Sequence, residues 1–419
     1  MFKKRMFAVA VVVLLATSMS TVMFNVQPAK AESGAIYIRA DGSIDPPTAP
    51  ISSVDNVTYT FTGNISDSIV IERNNIVVDG ADCTVSGFGW GNGITLTDRN
   101  NVTVRNMKII GFAYGILLDS SSNNTVSGNN VTSNNEEGIR LDSSSGNTLS
   151  GNNVTSNNGD GIYLDSSSGN TLSGNNVTSN KWGGISLDSS SGNTLSGNDV
   201  ANNYVGILLG FSSNNVFYHN NFINNTQHAY ITQNHANVWD DGYPSGGNYW
   251  SNYAGVDVDG DGIGDTPYTI YANSKDRDPL MGMFNSFNTS IGCNVDVISN
   301  STIDDFKYSE SNGTIVMHVS NMTSNQTFGF VRICIPHALM NETYQVIING
   351  GEPYYVNYTL YDNGTHRWMY FSYQHSTLEV VIIPEFPSFM ILPLFMIFTM
   401  LAVVFLQRKN PEKKQKNNK

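Results

Sequence analysis

GILLDSSSNNTVSGNNVTSNNEE (115–137), GIRLDSSSGNTLSGNNVTSNNGD (138–160), GIYLDSSSGNTLSGNNVTSNKWG (161–183), GISLDSSSGNTLSGNDVANNYV (184–205) and GILLG (206–210) follow one another without a break. The opening glycines Gly115, Gly138, Gly161, Gly184 and Gly206 stand 23, 23, 23 and 22 residues apart. A polar repeat of that period marks a solenoid. In the second copy the large apolar residues are Ile139, Leu141, Leu149 and Val154. They show no i, i+3, i+4 stripe, which excludes an amphipathic helix. Ile139 and Leu141 alternate as strand residues do. Leu149 and Val154 sit in two further short segments bounded by Gly and Asn. Three short strands per turn with tight corners follow, and Asn and Gly suit corners because they tolerate positive φ. The expected fold is all-β: a right-handed parallel β-helix, with Asn147, Asn170 and Asn193 stacked coil over coil. A leucine-rich repeat would need more Leu per copy and a helical side.

Working outward, irregular coils precede the repeat, at Ile69-Val70-Ile71 and Ile76-Val77-Val78. The helix is expected over 67–235, near seven coils, with 32–66 as a cap covering the apolar cross-section of its end. Residues 1–31 read as a secretory signal: Lys3, Lys4 and Arg5, an apolar run, then Ala29-Lys30-Ala31. Phe389–Leu406 is an uncharged apolar run of 18 residues, near the minimum for a membrane span. The basic tail 407–419 puts the rest of the chain outside. Residues 384–406 are thus expected to be a C-terminal transmembrane helix or a sorting segment, and the protein a single-pass cell-surface protein. The leader carries four basic residues and the tail six against one acid, so the formal net charge of −13 becomes −22 for the part between. That excludes a basic nucleic-acid footprint and suits cations.

From 285 to 383 the repeat gives way to alternating runs such as Thr314–Val319, Phe328–Ile335 and Trp368–Tyr373, which predict a small β-sandwich. Cys293 and Cys334 fall in it and could pair in an oxidising exterior. Cys83 would be left over as a small buried residue. Sequons include those at Asn56, Asn64, Asn101, Asn130, Asn153, Asn176, Asn288, Asn321, Asn341, Asn357 and Asn363, glycosylation candidates in a secreted chain.

Three features bear on chemistry. Asp257-Val258-Asp259-Gly260-Asp261-Gly262-Ile263-Gly264-Asp265, in the 236–284 loop region, matches the first nine positions of a Ca²⁺ loop: oxygens from Asp257, Asp259 and Asp261, a turning Gly, the Ile263 carbonyl and an acid at Asp265. Position 12 is Tyr268, so the bidentate ligand must come from elsewhere, Asp276 or Asp278. The expected cofactor is a structural calcium ion. Second, Asp119, Asp142, Asp165 and Asp188 recur once per coil, either as corner caps with the serines that follow or as a row of cation sites. Third, near-identical copies expose the positions that vary: Leu117, Arg140, Tyr163, Ser186 and Leu208 in one column, and beside it the pairs ending at Tyr114, Glu137, Asp160, Gly183 and Val205. Tyr114, Tyr163, Trp182 and Tyr204 supply aromatic platforms there. Rings beside acids suit sugars. Glu137 and Asp160, on adjacent coils roughly 5 Å apart, with Arg140 close by, are weak catalytic candidates. Otherwise no copy departs from the others enough to mark an active site.

The motif GIxLxxSxxNTLxGNxV, with Asn-Asn-Val-Phe-Tyr-His-Asn-Asn-Phe-Ile-Asn-Asn at 214–225, resembles the NosD-like parallel β-helix family of carbohydrate-binding proteins and sugar hydrolases. Gly247–Trp250, Gly262–Tyr268 and Asp278–Met281 look like the end of such domains in archaeal surface proteins. The resemblance spans about 35–282. It implies binding of glycans or envelope polymers, with a polysaccharide lyase, epimerase or hydrolase and a rigid envelope spacer as alternatives. Name-giving members help load copper into a reductase. Here copper would have only His219, His228, His235 and scattered Met, which makes it the lesser reading.

Overall fold

The computed structural model describes residues 34–384, apart from 234, 341–343 and 375. The leader, the apolar run Phe389–Leu406 and the basic tail lie outside the described residues.

The repeat winds into a right-handed-type parallel β-helix of about eight turns. Its first sheet stacks Ile36, Ile69, Ile94, Ile116, Ile139, Ile162, Ile185, Ile207 and Ala229 in one register. The second sheet stacks Val126, Leu149, Leu172, Leu195 and Phe217. The third stacks Val131, Val154, Val177, Val200 and Phe222. Inward Ile, Leu, Val and Phe of these columns are buried. Each contributes about 1.5–3 kcal/mol by leaving water.

The polar part of the repeat is equally internal. Three asparagines per coil form three ladders, and Asn147–Asn170–Asn193 is one of them. Inside the ladders the side-chain amide donates both to the carbonyl oxygen of the next Asn and to a backbone carbonyl of the preceding coil, as Asn170 does to Asn193 at 3.1 Å and to Ser144 at 3.0 Å. Ser121, Ser144, Ser167, Ser190 and Ser212 form a fourth ladder. The positive φ angles fall elsewhere, on Ser143, Gly146, Gly151 and Ser156 in the second copy. The ladder asparagines are therefore at the corners for their amides, while asparagines outside the ladders, such as Asn123, Asn202, Asn214 and Asn224, take the positive φ. Each copy's opening glycine has a packing reason. A Cβ on Gly138 would lie 2.5 Å from Val154 Cγ1 and 2.7 Å from the Gly161 carbonyl oxygen.

Both ends differ from the expected boundaries. Ile36–Ile38 pairs in parallel with Ile69–Ile71, so the first rung lies inside the segment read as a cap. Within the segment read as a loop, Val238 bridges Val216 and Tyr249–Trp250 pairs with Asn221–Phe222. Aromatic rings close this end: Trp239 stacks on Phe217 at 4.2 Å, Trp250 on Phe222 at 4.4 Å, and Tyr268 on Trp250 at 4.5 Å.

Beyond Met283 two antiparallel sheets enclose a second apolar core. One orders Met283–Asn288, Asn294–Ser299, Phe328–Pro336, His366–Gln374 and Tyr355–Asp362; the other orders Ser301–Ser309, Thr314–Asn321, Leu378–Pro384 and Tyr344–Ile348. All three cysteines are free. Asp296 opposes Cys334 in the ladder. Cys293, three residues before Asp296, therefore belongs to the opposite face, and it packs on the sandwich core. A Cys293–Cys334 bridge is thus ruled out by the pleat. Beside an apolar cluster of Ile263 and Leu280 with Phe284, Ile298, Phe330 and Tyr370, polar contacts fasten the sandwich to the rest of the chain. Asn221 holds the Phe284 backbone with both side-chain groups at 2.8 Å. Arg332, 1% exposed, donates to the Asp261 carbonyl at 2.8 Å and lies 3.3 Å from its carboxylate.

Candidate functional site

The variable columns come together on one edge of the solenoid, as a stripe along the corner that leads into the first sheet. Backbone bonds set its register: Ala113 N–H donates to Gly91, Glu136 to Ala113, Gly159 to Glu136, Trp182 to Gly159 and Val205 to Trp182. Arg140 is the centre. Its guanidinium lies 4.8 Å from the ring centroid of Tyr163 and 5.3 Å from that of Tyr114. Its Nε donates to Asp142 at 2.9 Å, and Glu137 is 3.8 Å away. Ring faces on a cation and two carboxylates beside it hold the side chain in one pose. Ser186, in the same column, is buried rather than open.

Burial dominates the titration of this group. It pushes the carboxyls of Glu137 and Asp160 above their usual range, against the pull of Arg140 on both. It pushes the Tyr163 phenol up to about 12. Glu137 Oε2 is buried without a partner, and Asp160 Oδ1 accepts the Gly183 N–H at 2.5 Å. Next to this polar centre stand two open rings in edge contact, Trp182 at 61% exposure and Tyr204 at 56%, with centroids 6.2 Å apart. The four predicted aromatics thus split into two that clamp Arg140 and two that face solvent.

Two residues on the same corner escape a reading of the repeat. Phe88 and Trp90, 64% and 70% exposed and 6.3 Å apart, lie in the coil before Tyr114. Gly89 N–H donates to Gly111, and Asn135 reaches back to the Gly89 carbonyl at 2.8 Å. That coil has irregular spacing, so only its aromatic pair next to glycines hinted at the role.

The acidic loop is partly as expected. Ligand atoms of Asp257, Asp259 and Asp265 lie within 4.8 Å of one another, the single such group of three among the described residues. Three carboxylates fit a hard cation. Asp261 is diverted to Arg332, and Asp276 is fully buried at the solenoid end, bonded to Asn248 N–H and Trp250 Nε1. Neither completes the ligand set. The once-per-coil acids act as corner caps: Ser120, Ser166 and Ser189 donate to Asp119, Asp165 and Asp188. Asp142 takes Arg140 instead.

The histidines are separately engaged. His219 Nε2 lies 3.0 Å from the Ser245 carbonyl oxygen, His228 bonds Ser251 and His235 bonds Gln233. His228 lies with Nδ1 3.5 Å from Asn225 Nδ2 and Nε2 3.2 Å from Ser251 Oγ. Ser251 Oγ accepts the Asn224 N–H.

Against known proteins, one family stands out. Residues 51–255 match NosD, the periplasmic copper-binding protein family. The NosD match covers the solenoid after its first rung and ends before the acidic loop and the sandwich. No curated protein matches the chain. Among solved structures, a mutant of the periplasmic alginate epimerase AlgG is 20% identical over 42% of this chain and 48% of its own, with a TM-score of 0.38. The chain thus spans about half the length of that protein. An alginate lyase from Paenibacillus is 16% identical over 44% of this chain and 91% of its own, with a TM-score of 0.30. Tailspike protein 2 of a bacteriophage of Escherichia coli O157:H7 is 12% identical over 77% and 57%, with a TM-score of 0.36.

Proposed function

We propose that the chain is a cell-surface protein whose solenoid binds glycans or envelope polymers along the stripe. One observation carries this reading: two solvent-facing rings, Trp182 and Tyr204, stand beside Glu137, Asp160 and an Arg140 that two further rings clamp. Sugar C–H faces stack on such rings, and carboxylates and guanidinium take hydroxyls. The side chains are pre-organised, which lowers the ordering cost of binding. In a glycan array on the purified chain, Trp182→Ala and Tyr204→Ala together should weaken binding at least about tenfold. Absence of binding, or binding that ignores both changes, rejects the reading.

A polysaccharide lyase, epimerase or hydrolase is the second reading. It rests on Glu137, whose carboxyl keeps its proton to higher pH beside a fixed cation, as an acid catalyst must. Under it, Glu137→Gln abolishes product release from a polysaccharide while stripe binding survives. Copper service, which the NosD description raises, would draw on His219, His228 and His235, which bond Ser245, Ser251 and Gln233.

The acidic loop is proposed as a structural calcium site held by Asp257, Asp259 and Asp265. Calcium should raise the melting temperature, and a chelator should lower it by several degrees. An unchanged melting temperature rejects the site. Attachment through Phe389–Leu406 is part of the same proposal and is checked by fractionating cells that express the chain with and without that run.

A further inference from the structure

A cleft of about 930 Å³ runs along the flank of the solenoid, between the corner joining the second and third sheets and the first two strands of the sandwich. Its floor repeats with the coils: Ser150, Ser173 and Ser196 are in register. At the last regular coil and the one after it the pattern breaks, and three of the breaks line this cleft. Tyr218 stands on the rung above Ser196. His219 stands where the copies have glycine, with φ 58°. Asp199 stands where Asn130, Asn153 and Asn176 stand.

At Asp199 the change costs the solenoid a ladder contact. Asn176 donates to Asn153 at 2.9 Å, and Asn153 to Asn130 at 3.3 Å. An aspartate has no N–H to give Asn176, so Asp199 interrupts that ladder. Its Oδ1 accepts Asn221 at 2.7 Å. Across the cleft, Asp296 Oδ1 accepts Ser286 Oγ at 2.6 Å. Each carboxylate is thus pinned by one oxygen and keeps the other for a ligand. His219 stacks on Phe284 at 4.1 Å and shuts one end.

We propose that this cleft is a second carbohydrate site, independent of the stripe, which takes a neutral oligosaccharide of about three or four rings. A ring packs against Tyr218, its hydroxyls are accepted by Asp199 and Asp296, and later rings follow the serines. Coils repeat about every 4.8 Å, close to the length of a sugar ring, so one linear chain meets the same hydroxyl at each step. The volume is that of a ligand site. The lining holds two carboxylates and neither Lys nor Arg, so uronate chains are repelled. Asn288, which begins Asn-Thr-Ser, also lines the cleft. The neutral sugar therefore has two sources: a foreign glycan, or one carried on Asn288.

The test uses the full chain made without glycosylation, titrated with cellotetraose, maltotetraose, mannotetraose and, as the anionic control, tetramannuronate. At least one neutral tetrasaccharide should bind at or below about 1 mM. D199N restores the amide ladder, so it should fold as well as the parent yet bind about tenfold more weakly; Y218S, which recreates the repeat residue, should do the same. W182A should leave this binding unchanged, which separates it from the stripe. In glycosylated protein, binding that appears only after N288Q assigns the cleft to the chain's own glycan; binding without that change assigns it to a foreign one. No neutral binding to the unglycosylated chain overturns the proposal. So does binding indifferent to D199N and Y218S, or tetramannuronate binding as tightly.

Discussion

At the scale of single residues, asparagine decides most. A buried amide that lacks one partner costs about 1–3 kcal/mol, and the ladders remove that cost by giving each amide the same neighbours in every coil. One ladder must end, and its end is instructive. Asn248, the last rung of the line through Asn198 and Asn220, presents its backbone N–H to Asp276 at 2.8 Å. Burial pushes the Asp276 carboxyl up to about 7, although Trp250 Nε1 and the Asn248 donors pull it down. The folded state therefore holds this proton to a higher pH than the unfolded chain does. The stability involved is complete below the ordinary carboxyl value and is lost as pH rises toward 7. We expect Asp276→Asn to remove a pH dependence of a few kcal/mol between about pH 4 and 7, read as the difference between parent and variant urea midpoints. A constant difference across that range rejects the assignment. The sequence pointed at Asp276 for another task, calcium ligation, because its distance from the loop along the chain allowed it. Only the coil stacking carries it to the solenoid end.

At the scale of elements, the repeat contains two kinds of glycine that look alike in sequence. Gly169 has φ 67° and open space around it, whereas Gly138 has no positive φ but lies against Val154 and the next coil. Alanine at Gly169 should cost about 1–2 kcal/mol of backbone strain. Alanine at Gly138 must push two coils apart and should cost more, about 3 kcal/mol. Equal losses in chemical denaturation would contradict this account. The strands themselves were legible, since a period of 23 with isolated Ile, Leu and Val permits little else. The alternating runs Thr314–Val319, Phe328–Ile335, 344–348, 354–360, Trp368–Tyr373 and 378–383 are all strands of the sandwich. Three more, over 283–288, 294–299 and 301–309, were missed, because exposed polar residues interrupt the apolar pattern in the first and third and a short apolar run hides the second.

At the scale of the whole molecule, one buried cation matters. Arg332 comes from the sandwich and Asp261 from the acidic loop, 71 residues earlier. Removing one member of a buried ion pair costs about 3–5 kcal/mol, because the other is left buried and uncompensated. Arg332→Ala should therefore loosen the sandwich from the solenoid. Urea unfolding should then show two steps, the first without change in Trp239 and Trp250, which are buried in the solenoid end. A single unchanged transition would mean that the Asn221–Phe284 contact and the apolar cluster around Ile263 and Leu280 hold the two parts together without Arg332.

The local order of the chain was set by its sequence: coil, coil length, inward columns and the variable stripe all follow from comparing four copies with one another. That works because each coil touches chiefly its neighbours, so short-range pattern and packing coincide. What sequence alone left open is everything that requires distant segments to meet. Arg140 between two rings, Asp261 drawn away from its loop, the free cysteines on opposite faces and the cleft at Asp199 depend on register and on how the sandwich docks. Those contacts join residues tens of positions apart, and no period in the chain records them.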